Sequence, residues 1–172
     1  MSSKVLKGKA IKLGDNISTD DIIPGRFAHL RSNLPELAKH VLEDTLPAFA
    51  SRVKSGDFIV AGKNFGLGSS REHASVVIKM SGASAILAES VARIFFRNAI
   101  NEGLPVLLCD TEKIGDGDEL EINLTSGMII NLTSGITLNC SKMPPIMSAI
   151  LEEGGLIPYI RKHRDFVITN SS

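Results

Sequence analysis

Apolar and polar residues alternate loosely through V-L-K-G-K-A-I-K-L at 5–13, which predicts a strand ending at Gly14. Apolar positions 34, 37, 38, 41 and 42 recur with helical spacing, so a helix is expected over Leu34–Leu46 with Asn33 as its cap. A short apolar strand, Phe58–Ala61, runs into a glycine-containing loop. After that loop the pattern predicts helix Glu72–Met80 stopped at Gly82, strand Ala85–Ala88, helix Val91–Asn101 stopped by Gly103, and strand Pro105–Cys109. Strands and helices in strict alternation at this spacing imply parallel pairing through βαβ crossovers. The stretch between, G-D-N-I-S-T-D-D-I-I-P-G-R-F at 14–27, reads as a loop.

The pattern then changes period. I-N-L-T-S-G occurs at 122–127 and again at 130–135, each copy alternating and ending in a Ser-Gly turn signal. Two copies predict a small antiparallel meander. Pro144–Glu153 is expected to form a last helix closed by Gly154-Gly155. The whole chain, 1–172, is read as one domain with flexible ends near 1–4 and 165–172.

Composition narrows the setting. Hydrophobic residues make up 43% and charged residues 22% of the chain, enough apolar material for a core without a membrane span. Nineteen basic residues balance nineteen acidic ones with no block of like charge, so neither nucleic acid nor a membrane surface is expected as partner. The N-terminus lacks an apolar signal region, and a cytoplasmic location is expected. Cys109 and Cys140 are too few to build a zinc or iron–sulfur site in this chain. His29, His40 and His163 have no metal-ligand spacing. Arg93 and Arg97, four apart on a helix, are expected to form structural ion pairs, and Cys109 to be a core residue.

Residues 64–74, N-F-G-L-G-S-S-R-E-H-A, hold most of the chemistry on offer. Ser69 with Glu72 forms an S-x-x-E capping box, and Gly66 and Gly68 permit a tight strand-to-helix turn. That structural role accounts for these residues by itself. The same geometry also presents free N–H groups and the positive end of a helix dipole to an anion. Arg71 adds a planar fork for a carboxylate or phosphate. A P-loop would need Gly-Lys-Ser/Thr where the chain has Gly68-Ser69-Ser70, and Arg71 occupies the third glycine position of a dinucleotide fingerprint. G-x-S-x-G is absent, so a hydrolase elbow is excluded as well. A carboxylate ligand survives these eliminations.

G-K-N-F-G-L-G-S-S-R-E-H-A at 62–74 resembles the signature of the swivelling domain of the aconitase superfamily. D-N-I-S-T-D-D-I-I-P-G-R-F at 15–27 resembles the family's opening loop, and A-R-I-F-F-R-N-A-I-N-E-G-L-P at 92–105 its following helix and turn. The resemblance covers most of residues 5–110 in the family's order. Leu67 and Ser75 depart from it, standing where many small subunits have Cys and Pro.

The resemblance implies an α/β fold, a swivelling β/β/α domain with a parallel βαβ core and added antiparallel hairpins. It implies a free-standing small subunit of the isopropylmalate dehydratase and homoaconitase type, in a heteromeric hydro-lyase that isomerises a 2-hydroxy acid in leucine biosynthesis. A related dimethylmalate dehydratase also fits, as does, in another class, a non-catalytic carboxylate-binding or regulatory module. The large subunit would carry a [4Fe–4S] cluster, and this chain alone would be inert. By position, Ser69 would be the catalytic base, and Ser70 and Arg71 would bind the carboxylic-acid substrate. Thr19 and Asp20 would line the site from the opening loop. H-L-R-S at 29–32 resembles a specificity loop, where Arg31 would suit a tricarboxylate and an apolar residue the isopropyl group. Arg31 is otherwise a solvated charge before a helix.

Overall fold

The computed structural model describes residues 4–68 and 73–163. Strand β1 (Val5–Lys12) is the axis of the architecture because it pairs in opposite senses on its two sides. It runs parallel to β2 (Phe58–Val60), with Ala10 opposite Phe58 and Lys12 opposite Val60. It runs antiparallel to β5 (Glu119–Asn123), from Val5 opposite Asn123 to Lys9 opposite Glu119. Outward from β2 follow β3 (Ala85–Ala88) and β4 (Val106–Leu108), both parallel. Outward from β5 follow β6 (Met128–Asn131) and β7 (Thr137–Asn139), both antiparallel. The seven strands form one sheet in the order β4-β3-β2-β1-β5-β6-β7. Its edges approach each other, since the N–H of Ser141 after β7 donates to the carbonyl of Leu108 in β4 at 2.9 Å.

Two apolar cores follow from this curling. Ala10, Phe58, Val60, Ala85, Leu87, Leu107, Leu120, Ile122, Ile129 and Leu138 converge on the inside. Alternate residues of the parallel strands, Ile11, Ile59, Ile86 and Ala88, pack outward under helices. Both faces of β2 and β3 are therefore covered, which explains why they read as uninterrupted apolar runs. The covering helices include α4 (His73–Met80), buried through Ala74, Val77 and Ile78, and α5 (Arg93–Asn101), buried through Phe95, Ala99 and Ile100.

The repeated hexapeptide makes the same turn twice. Asn123 Oδ1 accepts from the N–H groups of Thr125 and Ser126, and Asn131 Oδ1 accepts from those of Thr133 and Ser134. Each turn closes on a glycine at positive φ, Gly127 at 76° and Gly135 at 79°.

Three expectations need correction. The helix expected over Leu34–Leu46 is confined to α2 (Leu34–Ala38), although Asn33 does cap it by accepting from Glu36 N–H. Leu42 adopts φ 57° and donates its N–H to the carbonyl of Ile22, so tertiary contact ends the helical run. The loop at 14–27 contains α1 (Thr19–Ile22), whose Ser18 and Asp21 form a capping box, and leads into a 3-10 helix at Gly25–Ser32. Gly154 and Gly155 do close α6 (Pro145–Glu152), but a further helix, α7 (Leu156–His163), follows them. Here α3 denotes the short helix Phe49–Arg52 before β2. No helix among the described residues is long and apolar enough to cross a membrane.

Candidate functional site

Beyond the carboxyl ends of β1 and β2 the two chains stay zipped together. Gly62 N–H donates to Gly14 O at 3.2 Å, Asn16 N–H to Lys63 O at 2.7 Å, Gly66 N–H to Ile17 O at 2.7 Å, and Thr19 N–H to Leu67 O at 2.9 Å. Asp15 Oδ1 accepts from Lys63 N–H at 2.7 Å. The opening loop and the glycine loop, far apart in sequence, thus form one wall at the edge where open parallel sheets place ligands.

Side chains complete the wall. Asn64 donates Nδ2–H to Asn16 Oδ1 at 2.9 Å, with both residues in the left-handed region at φ 59° and 58°. Asn64 N–H reaches Ser90 Oγ at 2.8 Å, and Phe65 exchanges backbone hydrogen bonds with Ser90 and Ala92. The loop after β3 therefore clamps the glycine loop from its other side. Phe65 and Phe95, both buried, meet edge to face with centroids 5.3 Å apart.

The glycines are required by distance as well as by φ. Gly66 (φ 78°) lies against Phe95, and a methyl group there would sit 2.6 Å from Phe95 Cβ. Gly68 (φ 108°) faces Thr19, whose Oγ1 would be 3.2 Å from such a methyl. Thr19 is buried and Asp20 is exposed. Of the sequence-predicted site, the structure thus brings Thr19 directly to Gly68, the residue before Ser69. Ser69, Ser70 and Arg71, together with Glu72, which the sequence pairs with Ser69 in the expected capping box, lie outside the described residues. Helix α4 is described from His73 onward.

Arg31 sits on the 3-10 helix, exposed, with Nε donating to Ala28 O at 3.0 Å. Among the described residues no carboxylate pairs with it. Its neighbour Arg26 is committed elsewhere, to Asp44 at 2.6 Å and Glu43 at 3.0 Å. The Arg26 hydrogen bond holds the Asp44 carboxyl below its usual 3.8. Phe27 stacks on His40 at 4.0 Å, so residues 26–27 are pinned and the polar end of the segment is left toward solvent. Arg93 and Arg97 are both exposed, and among the described residues neither forms the expected ion pair.

Sequence reasoning passed over Asn16, Asn64 and Ser90. Their signal is faint, since an isolated Asn in a loop reads only as turn chemistry. Nothing in linear order shows that two such residues share a hydrogen bond.

Among the described residues no thiolate set of the kind that holds an iron–sulfur cluster is assembled. Cys109 and Cys140 are both buried in the inner core. Their shared hydrogen bond, followed by burial, pushes the Cys109 thiol up, and the same bond pulls the Cys140 thiol down. Glu89, Asp110 and Glu112 bring carboxylate oxygens within 4.8 Å of one another at the ends of β3 and β4, but these hard, largely solvated oxygens do not suit a cluster.

The chain is similar to known proteins along most of its length. Residues 39–111 match the family described as the aconitase C-terminal domain. The chain is 58% identical over 161 residues to 3-isopropylmalate dehydratase small subunit 2 of Archaeoglobus fulgidus, covering 94% of this chain and 98% of that one. It is 51% identical over 160 residues to the isopropylmalate/citramalate isomerase small subunit of Methanocaldococcus jannaschii, covering 92% and 95%. The crystal structure of a 3-isopropylmalate dehydratase from Methanocaldococcus jannaschii superposes with a TM-score of 0.89 at 44% identity, covering 94% of this chain and 96% of that one. With near full-length matches at this identity, the chain belongs to the 3-isopropylmalate dehydratase small-subunit family of the aconitase superfamily.

Proposed function

We propose that this chain is the substrate-gripping and proton-abstracting half of a 3-isopropylmalate dehydratase, working as one swivelling domain against a large subunit. The observation that carries this reading is the convergence of the S-T-D loop on the glycine loop, which sets Thr19 beside Gly68 at the entry to Ser69-Ser70-Arg71. A pure binding module would need the anion cradle but no candidate base.

In this reading Ser70 and Arg71 hold a substrate carboxylate, and Thr19 and Asp20 line the pocket from the opening loop. Ser69 takes the proton from the carbon beside that carboxylate. An alkoxide is costly near neutral pH, at about 1.4 kcal/mol for each pKa unit removed. Arg71 and the helix N-terminus supply that stabilisation once water is excluded. Exclusion requires a covering partner, so the chain is inert by itself. A [4Fe–4S] cluster on the large subunit would supply the Lewis-acid chemistry for loss of the hydroxyl. Return of water with the opposite regiochemistry completes the isomerisation.

A second reading of substrate range has its own support. The Methanocaldococcus relative is named for both isopropylmalate and citramalate. Arg31, exposed and without a carboxylate partner among the described residues, is the side chain we assign to discriminating the substrate's variable group. The test mixes this chain with a cluster-loaded large subunit of the same family and compares isopropylmalate, citramalate, homocitrate, citrate and dimethylmalate. Isopropylmalate turnover only in the mixture is expected. Turnover by the chain alone, or none of any acid in an assembled complex, contradicts the assignment.

A further inference from the structure

We propose that the hydrogen bond between Asn16 and Asn64 is a positioning device for the reaction, locking the register of the opening loop against the glycine loop and so fixing Thr19 against Gly68. The inference rests on the function proposed above and adds two residues that touch no substrate.

Three observations support it. Both residues occupy the left-handed region, which glycine would fill at least cost. Asparagine tolerates that backbone and adds an amide, and here each amide spans the gap to the other loop. Both residues are exposed, so a hydrogen bond between them contributes little to global stability. Their value therefore lies in where they stand. The bond sits between the contacts of Asn16 N–H with Lys63 O and Gly66 N–H with Ile17 O, at the point where regular strand pairing has ended. Asn64 is also tied through its N–H to Ser90 Oγ, so the pair links all three loops of the wall.

The bridge needs one donor and one acceptor, so the choice of variant can remove it or keep it. Asn64→Gly keeps the backbone conformation and removes the bridge. In the reconstituted complex it should lower kcat about 10- to 100-fold, the scale of a modest misplacement of reacting groups, with KM within about twofold. Its thermal midpoint should stay within about 2 °C of the parent, because the lost bond is exposed. Asn16→Asp retains an acceptor for the Asn64 amide and should recover most of the activity. Asn64→Asp likewise keeps a bridge once the Asn16 amide turns to donate, whereas Asn16→Asp combined with Asn64→Asp opposes two carboxylates and should be at least as poor as Asn64→Gly. Asn16→Gly combined with Asn64→Gly should be no worse than the poorer single variant, since both remove one bond.

Hydrogen exchange on the free chain gives a reading independent of activity. Asn64→Gly should speed exchange at the amides of Gly66 and Thr19 while leaving the amide of Ile86 in β3 protected. A double aspartate variant as active as Asn16→Asp alone, kcat losses that track the thermal midpoint, or unchanged exchange at Gly66 and Thr19 would overturn the proposal. A parent complex that turns over no acid counts against the assigned reaction, and the exchange data then decide the positioning role alone.

Discussion

Replacing Gly66 with alanine tests whether the glycine loop is held by close packing or merely by convenience. At φ 78° any L side chain carries a backbone penalty of about 1–2 kcal/mol. The new methyl would also overlap Phe95, lying 2.6 Å from its Cβ, and that ring is buried and braced edge-on by Phe65. Overpacking of this kind costs about 1–3 kcal/mol, so the variant should lose about 2–5 kcal/mol. Among the described residues, Gly68→Ala meets the Thr19 hydroxyl at 3.2 Å and should lose about 1–3 kcal/mol, chiefly from backbone strain. Gly14→Ala has nothing within 4 Å and no positive φ, and should be close to neutral. Urea titrations of the isolated chain followed by circular dichroism would rank the three variants. Adding Phe95→Leu to Gly66→Ala should cost less than the sum of the single changes, because the leucine makes room. A Gly66→Ala midpoint within about 0.5 kcal/mol of the parent, on the scale of an ordinary surface change, or strict additivity with Phe95→Leu, would refute the packing argument.

Asn131 and Asn123 make the same turn, but Asn131 is fully buried and also donates to Asp118 at 2.8 Å. Asn131→Ala should therefore cost about 2–3 kcal/mol and Asn123→Ala about 1 kcal/mol by urea titration, the difference being buried partners left unsatisfied. Asp116 is held below its usual 3.8 first by its hydrogen bond to Arg52, and Asp118 first by its hydrogen bond to Asn131. Both carboxyls thus bind protons more weakly when folded. Their stabilisation is complete above about pH 4 and is lost as pH falls through the lowered values, so Asp116→Asn should flatten the acid limb of stability. Arg31→Val should shift the reconstituted complex toward isopropylmalate over homocitrate by about 10-fold or more in kcat/KM, the scale of losing a carboxylate partner. An unchanged ratio removes Arg31 from specificity.

What the sequence reveals depends on how local each cause is. The parallel strands were legible because both their faces are apolar, and the meander because its turn residues repeat. Periodicity extends the helix over 34–46 too far because Leu42 answers to Ile22, a partner that periodicity cannot show. Helix α1 was within reach, since Ser18 and Asp21 form a capping box that loop-like composition obscured. Helix α7 begins directly after two glycines, which read as an ending. Gly155 serves instead as a close approach, where a methyl would lie 2.6 Å from Asn101 O. At the site, the resemblance supplied Thr19 and the glycine loop, and the structure places them together. The Asn16–Asn64 bridge is invisible in linear order because each half is ordinary turn chemistry.

The central claim is that Ser69 removes the proton. The direct measurement is single-turnover kinetics of Ser69→Ala in a complex with a cluster-loaded large subunit, with substrate binding measured alongside. A base contributes about 10²- to 10⁴-fold, so kcat should fall by about that factor while isopropylmalate still binds within a few-fold of the parent affinity. Turnover within about threefold of the parent, in a complex that assembles normally, would contradict the account.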